Sequence, residues 1–324
     1  MVKKYSNGEL QVTKIEGMDL QPSKRQRVLM EQARELTETR LSKRAAKSDR
    51  DATFPFDDFN YLRNAGFLGL CVPERFGGFG ADLEIYCLVS SENAKGNGST
   101  ALCFNMHCLT MLMMGELSEP LEMTSEQRKR HERLRSENFA EVIEKGVFYG
   151  QPHSEPVEEG ETDSSLPQGG RRFGTTAEKV DGGYTINGRK FFVSLSDAAD
   201  YFSTPCILGN SDASWIDRTL YSKVPRNAPG VTFDGDWNPI GMRGTVSRNM
   251  VLSDVFVRDD AEILPPGGFG RLFQVQVHGP LTFTATFLGL MQQAYELALK
   301  FLAGTDLGMS AKGEVGPVQG QALA

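Results

Sequence analysis

TTAEKVDGGYTINGRKFFVS, residues Thr175–Ser194, is the stretch in which the chain changes character. Asp181-Gly182-Gly183 and Asn187-Gly188 are two turn signals that favour positive φ, and the residues between and around them alternate, which predicts short strands joined by tight turns. Further β-type runs follow: YFSTPCIL (201–208), TLYSKVP (219–225), GVTFDGDW (230–237) and NMVLSDVFVR (249–258). Residues 148–262 therefore read as a small β barrel or sandwich. The polar interval PVEEGETDSSLPQGGRR, Pro156–Arg172, reads as a loop.

On the N-terminal side the period is helical. Residues 23–48 suit an amphipathic helix with charged pairs such as Glu31 with Arg34. FPFDDFNYLRNAG places Pro55 at a helix start and Gly66 at its stop. TSEQ, Thr124–Gln127, is a capping box that opens the charged helix RKRHERLRSENFAEVIEKG, whose charge run reads as a solvated face. GGFGAD, Gly77–Asp82, reads as a tight interhelical loop. After PPGGFG (265–270) the helical period returns to about Ala303, with Leu272–Leu302 apolar around most of its circumference. Helix, then β, then helix predicts the α+β class: an N-terminal helical domain (1–147), a central β barrel or sandwich domain (148–264) and part of a C-terminal helical-bundle domain (265–324).

The 324 residues carry a net charge of −7, which argues against a nucleic-acid partner. LCFNMHCLTMLMM, Leu102–Met114, is shorter than the roughly 20 residues of a membrane span and reads as a buried helix. MVKKYSNGELQVTK has no apolar core after its lysines, so no secretory signal is expected and a cytoplasmic location follows by default. Five cysteines without C-x-x-C spacing suit a reduced compartment. Cys103 and His107 could share a helix face as a two-ligand metal edge, but Leu, Phe and Met around them favour plain packing, and no metal is expected. Dinucleotide, P-loop, G-x-S-x-G and H-E-x-x-H signatures do not occur.

Other segments carry a resemblance. GFLGLCVPERFGGFGADL (66–83), GNGSTALCFNMH (96–107), SEP (154–156), INGRKFFVSLSDAADYF (186–202) and DWNPIGMRGTVSRNMVLSDVFV (236–257) resemble, in order and spacing, the landmarks of the acyl-CoA dehydrogenase family. The resemblance implies FAD held between a helical domain, a β domain and a C-terminal helical domain. It implies α,β-desaturation of an acyl thioester by a glutamate base and the flavin, with an electron-transfer flavoprotein as acceptor. Relatives on the same scaffold are flavin-dependent monooxygenases or oxidases that use oxygen. A catalytically incomplete partner subunit is the third reading.

Carried over by position, Gln151, His153 and Ser154 stand at the flavin-contacting segment, with Ser154 in the hydroxyl position. Phe192, Val193 and Ser194 stand beside the isoalloxazine ring, where a flavin needs a flat apolar wall and hydrogen bonds to its polar edge. Val277, His278, Gly279 and Pro280 stand where many relatives carry an aspartate and an arginine for coenzyme A, and Gly279 where one subgroup keeps its glutamate. His278 and His107 are the remaining candidates for a base, with a packing role the alternative for each, and Arg243 is expected to brace the β domain against the helices. The apolar 272–302 pattern lacks the later helices that cover it in the family. The chain is thus expected to work as a homo- or hetero-oligomer and to be incomplete for dehydrogenase chemistry unless another polypeptide supplies them.

Overall fold

The computed structural model describes residues 21–155, 173–209, 213–275 and 278–302. The first stretch is helical: α1 (Lys24–Leu36) and α2 (Ser42–Asp51) joined through a π turn, α3 (Phe56–Asn64), α4 (Leu83–Gly96), α5 (Gly98–Met114) and α6 (Ser125–Ala140). Local chemistry sets their ends. Ser23 and Thr124 form capping boxes with Gln26 and Gln127, and the side chains of Asp82 and Asn97 accept from the first free N–H groups of α4 and α5. The Gly77–Asp82 loop turns so tightly that a Cβ on Gly78 would lie 2.1 Å from the carbonyl oxygen of Val72.

Helix α5 has almost no solvent face, because fifteen of its seventeen residues are buried. Its polar side chains must then find partners inside the protein. Thr100 donates to Asp58 (2.7 Å), Asn105 donates to the Tyr86 hydroxyl (2.8 Å), and the Thr110 and Ser203 hydroxyls lie 2.9 Å apart.

The second stretch supplies β1 (Tyr149–Gly150), β2 (Thr176–Val180), β3 (Gly183–Val193), β4 (Tyr201–Leu208), β5 (Thr219–Pro225), β6 (Val231–Asp234), β7 (Arg248–Arg258) and β8 (Glu262–Leu264). They form one eight-stranded mixed sheet in the order β6-β7-β3-β2-β4-β5-β8, with β1 beside β4. Pairing is antiparallel except for β1 with β4 and β2 with β4. Three expectations need correction here. Asn187-Gly188 is not a turn; β3 runs through it with a bulge against β7, and Gly188 is required because a Cβ there would press on Thr175. The charge run of α6 is not purely solvated: Arg135 is fully buried, donating to Met114 O (3.2 Å) and Glu119 (2.9 Å), and Arg130 holds Glu262 (2.9 Å). Arg34 pairs with Glu92 of α4 (2.9 Å) rather than along its own helix. The Pro156–Arg172 loop lies outside the described residues.

The third stretch supplies α7 (Gly268–Val275) and α8 (His278–Leu302). Helix α8 packs its small residues on α4: Thr282, Ala285 and Thr286 are buried, Thr286 meets Ser90 at 3.1 Å, and a Cβ on Gly289 would fall 2.1 Å from Ser91 O. Its large apolar residues face away, with Met291, Tyr295 and Phe301 about two-thirds exposed. Among the described residues no helix is long and apolar enough to cross a membrane. Gly289→Val should force α8 off α4 and cost about 1–3 kcal/mol, whereas Met291→Gln should stay within about 0.5 kcal/mol of the parent. Thermal midpoints by circular dichroism check this, and an unchanged midpoint for the valine variant refutes the close packing.

Candidate active site

A cleft of about 790 Å³ opens where the three stretches meet. Helix α5 supplies Leu102, Met106 and Leu109, and the C-terminal helices supply Phe273, Gly279, Pro280 and Phe283. The sheet and its loops supply Gln151, His153, Ser154, Phe192, Ser194, Trp215, Trp237, Met242, Thr245 and Ser247. Apart from His153, no side chain that carries charge lines it among the described residues.

The sheet side of the cleft is strained. Phe192, Leu195, Met242 and Val246 all have positive φ, between 44° and 64°, which non-glycine residues rarely adopt. Two facing segments hold them there. Leu195 N donates to Thr245 O (3.0 Å), Ser196 N to Val246 O (3.2 Å), and the Ser194 and Ser247 hydroxyls meet at 2.9 Å. The consequence is visible at Phe192, whose ring is 67% exposed at the end of β3 and meets Trp237 edge-on at 6.4 Å. Arg243 fastens the loop to the helices, donating to the Asp49 carbonyl at 2.5 Å, as expected of a bracing residue.

The segment ahead of the sheet is fixed as firmly. Ser154 bridges Phe191 through its carbonyl (2.8 Å), and Glu155 takes the Thr175 hydroxyl (2.7 Å) and the ammonium of Lys190. Lys190 is fully buried and also donates to Pro205 O at 2.7 Å; burial lowers its pKa and Glu155 opposes that shift.

Five of the six flavin-contact residues named from sequence line the cleft: Gln151, His153, Ser154, Phe192 and Ser194. Val193 does not. The irregularity of β3 between Lys190 and Val193, with Phe192 at positive φ, turns Phe192 outward and leaves Val193 fully buried in the core. His107 also needs correction as a base. Its Nε2 lies 2.7 Å from Leu68 O and its Nδ1 accepts from Tyr149 N at 3.2 Å, so neither nitrogen is left for substrate. It pins α5 to β1. His278 lies on α8, and its side chain lies outside the described residues. Cys103 donates to Thr245 O (3.8 Å), and among the described residues no cluster of metal-ligating side chains occurs.

Of the helical wall, sequence reasoning names Gly279 and Pro280 but not Leu102, Met106, Leu109, Phe273 or Phe283, and it misses both tryptophans. Trp237 lay within a segment already recognised, and the chain has only two tryptophans, so their rarity was the one available signal.

Burial pushes the His107 pKa down to about 4. A histidine whose folded pKa is depressed stabilises the fold above its unfolded pKa near 6.5, and that stability is lost as pH falls toward the folded value. The loss through His107 is about 3 kcal/mol between pH 6.5 and 4. His131, lowered to about 4, acts in the same direction; buried Asp58, raised to about 6, acts in the opposite one. His107→Gln is expected to be less stable at pH 7 yet to lose about one proton's share of the pH dependence. Urea unfolding at pH 7, 6 and 5 measures this, and equal slopes in the two proteins contradict it.

Family models for the acyl-CoA dehydrogenase N-terminal domain and middle domain match residues 23–131 and 167–255, together more than half of the chain. The chain belongs to the acyl-CoA dehydrogenase family. This is a family of flavoprotein oxidoreductases, and the relatives differ in chemistry. The acyl-CoA dehydrogenase-type protein YdbM of Bacillus subtilis (strain 168) is 29% identical over 79% of this chain and 61% of its own length. Dibenzothiophene monooxygenase of Rhodococcus qingshengii is 28% identical over 74% of this chain and 54% of its own. The chain therefore spans less than two thirds of either relative. In fold it is similar to TdsC of Paenibacillus sp. A11-2, solved with FMN and indole, with a TM-score of 0.69 at 23% identity over 86% of this chain and 68% of that one.

Proposed function

We propose that this acyl-CoA dehydrogenase family member uses its cleft as the flavin and substrate pocket of an oxygen-using flavoprotein, a monooxygenase or oxidase, acting on a compact aromatic or otherwise apolar molecule. The observation that carries this reading is the cleft wall: aromatic and aliphatic, without a carboxylate among its described residues, and with Gly279 at one of the family's positions for the glutamate base. Around Gly279 there is open space, since an added Cβ would meet nothing within 4 Å.

The residues present fit a flavin. Phe192 offers a flat ring held out of the core by a strained backbone, and the hydroxyls of Ser154, Ser194, Thr245 and Ser247 offer hydrogen bonds to a polar heterocycle edge. FAD is the proposed form, and FMN, which TdsC carries, is the comparison. When bound and reduced, a flavin supplies the two electrons with which oxygen is divided between product and water. The chain's own contribution is to exclude water with Leu102, Met106, Phe273 and Phe283, and to orient an apolar substrate against that wall.

A second reading is α,β-desaturation of an acyl-CoA, with an electron-transfer flavoprotein as acceptor; the likeness to YdbM favours it. It needs a base from outside the described residues. The open apolar face of α8 supports an oligomeric setting for either reading.

Titration with FAD and FMN should restore flavin absorbance, and Ser194→Ala should weaken the preferred flavin by about fivefold, the value of one hydrogen bond; unchanged affinity removes Ser194 from the flavin site. For the reaction, photoreduced flavin-loaded protein mixed with oxygen and indole or benzothiophene should give product or flavin reoxidation dependent on the aromatic. Anaerobic bleaching of the flavin by butyryl-CoA would reverse the preference in favour of desaturation.

A further inference from the structure

His153 lines the cleft beside Gln151 and Ser154. Its ring is the one titratable side chain among the described lining residues, and the polar groups behind it decide which nitrogen carries its proton. Ser203 Oγ donates to Gly150 O at 3.0 Å. The Thr110 hydroxyl proton goes to Met106 O (3.1 Å) or Ser203 Oγ (2.9 Å). The Gln151 amide donates to Thr110 Oγ1 (3.0 Å) and toward the Tyr221 hydroxyl (3.5 Å). The Tyr221 hydroxyl has Ser203, Thr110 and Gln151 beside it as well as His153 Nε2 at 3.1 Å, and with the Ser203 proton directed to Gly150 O and Gln151 itself a donor, the phenolic proton is assigned to Nε2. Burial raises the Tyr221 pKa, which keeps that proton on the phenol. With Nε2 assigned as the acceptor, a neutral ring carries its hydrogen on Nδ1.

The imidazole stays neutral for two reasons. Burial first, and then the ammonium of Lys190 on β3, push its pKa down to about 3; Glu155, which faces Lys190, and the Tyr221 phenol are the other titratable groups beside it. Its plane is held edge-on by Phe269 (5.1 Å) and Tyr221 (5.7 Å), and Phe269 stacks on the cleft residue Phe273 at 5.8 Å. Among the described residues the hydrogen bond of the ring is that of Nε2 with Tyr221.

We infer that His153 is a specificity-determining residue, locked by Tyr221 as the neutral Nδ1–H tautomer, which offers one hydrogen-bond donor to an acceptor oxygen on an otherwise apolar aromatic substrate. This rests on the aromatic-pocket reading above. Tyr221 is the positioning residue. The lone donor sets a rule for recognition: a carbonyl-type oxygen is favoured over a hydrocarbon group of the same shape, and a group that can only donate is disfavoured.

The test uses flavin-loaded protein and a matched pair of probes, acetophenone and α-methylstyrene, which differ by an oxygen in place of a methylene. Binding is read from the flavin absorbance and tryptophan fluorescence. The ratio of the two affinities should fall about five- to tenfold in His153→Leu, one hydrogen bond's worth, through acetophenone alone, and should survive in His153→Asn, whose amide keeps a donor near the Nδ1 position. Nitrogen-15 shifts of the histidine ring should report Nδ1–H with no titration between pH 5.5 and 8, and Tyr221→Phe should abolish that single tautomer. An affinity ratio unchanged in His153→Leu overturns the inference while leaving the pocket reading intact, and so does an Nε2–H tautomer in the parent. Binding of neither probe to the parent overturns the pocket reading and the inference with it. If His153→Leu does not fold, the tautomer measurement and the ratio in Tyr221→Phe decide, since a structural role alone predicts no change in either.

Discussion

The structure depends on a helix that has no side to give to water. Helix α5 runs between α4, α8 and the sheet, and fifteen of its seventeen residues are buried. Burial of that kind is costly for every interspersed polar group left unpaired, and of the Asn105 amide only the nitrogen is paired while its oxygen is not. The partners the helix finds lie in both the helical stretch and the sheet: Asp58 ahead of it, Tyr86 on α4, Leu68 and Tyr149 for His107, Ser203 on β4. Those bonds set the register between helices and sheet. The pocket wall built from Leu102, Met106 and Leu109 is a by-product of that register.

The opposite wall is made by strain rather than by burial. Segments 192–196 and 242–247 would not hold four non-glycine residues at positive φ unless hydrogen bonds across them over-determined the backbone. What the strain achieves is the presentation of Phe192 and Ser194 to the cleft while Val193, between them, keeps its place in the core. A buried ion pair, Lys190 with Glu155, does the same for the segment carrying Gln151, His153 and Ser154. It is costly to break because removing one partner strands the other charge.

Helix α8 shows a third solution. Its approach to α4 is governed by the absence of side chain at Gly289 and the small Thr282, Ala285 and Thr286, so the large apolar residues are directed to the open side. The apolar character that the sequence displays on all sides is therefore divided in the structure between a close helix contact and an exposed face, and only the former contributes to the fold as described. Exposed apolar surface of that extent is characteristic of a docking face.

The sequence by itself determined the order of helix, sheet and helix, the capping boxes at Ser23 and Thr124, most of the strands, and the family, because each rests on local periodicity, on a cap, or on a motif in series. It also carried Gln151, His153, Ser154, Phe192 and Ser194 to the cleft. What it did not determine was direction and partnership. The strand through Asn187-Gly188, the burial of Arg135, the structural use of His107 and the inward turn of Val193 depend on which groups lie opposite across tens or hundreds of residues. Local pattern carries no information about those distances. Only the packed structure decided that one histidine joins α5 to β1 while another, held by Tyr221, faces the cleft, because a histidine's role is set by the neighbours of its two nitrogens.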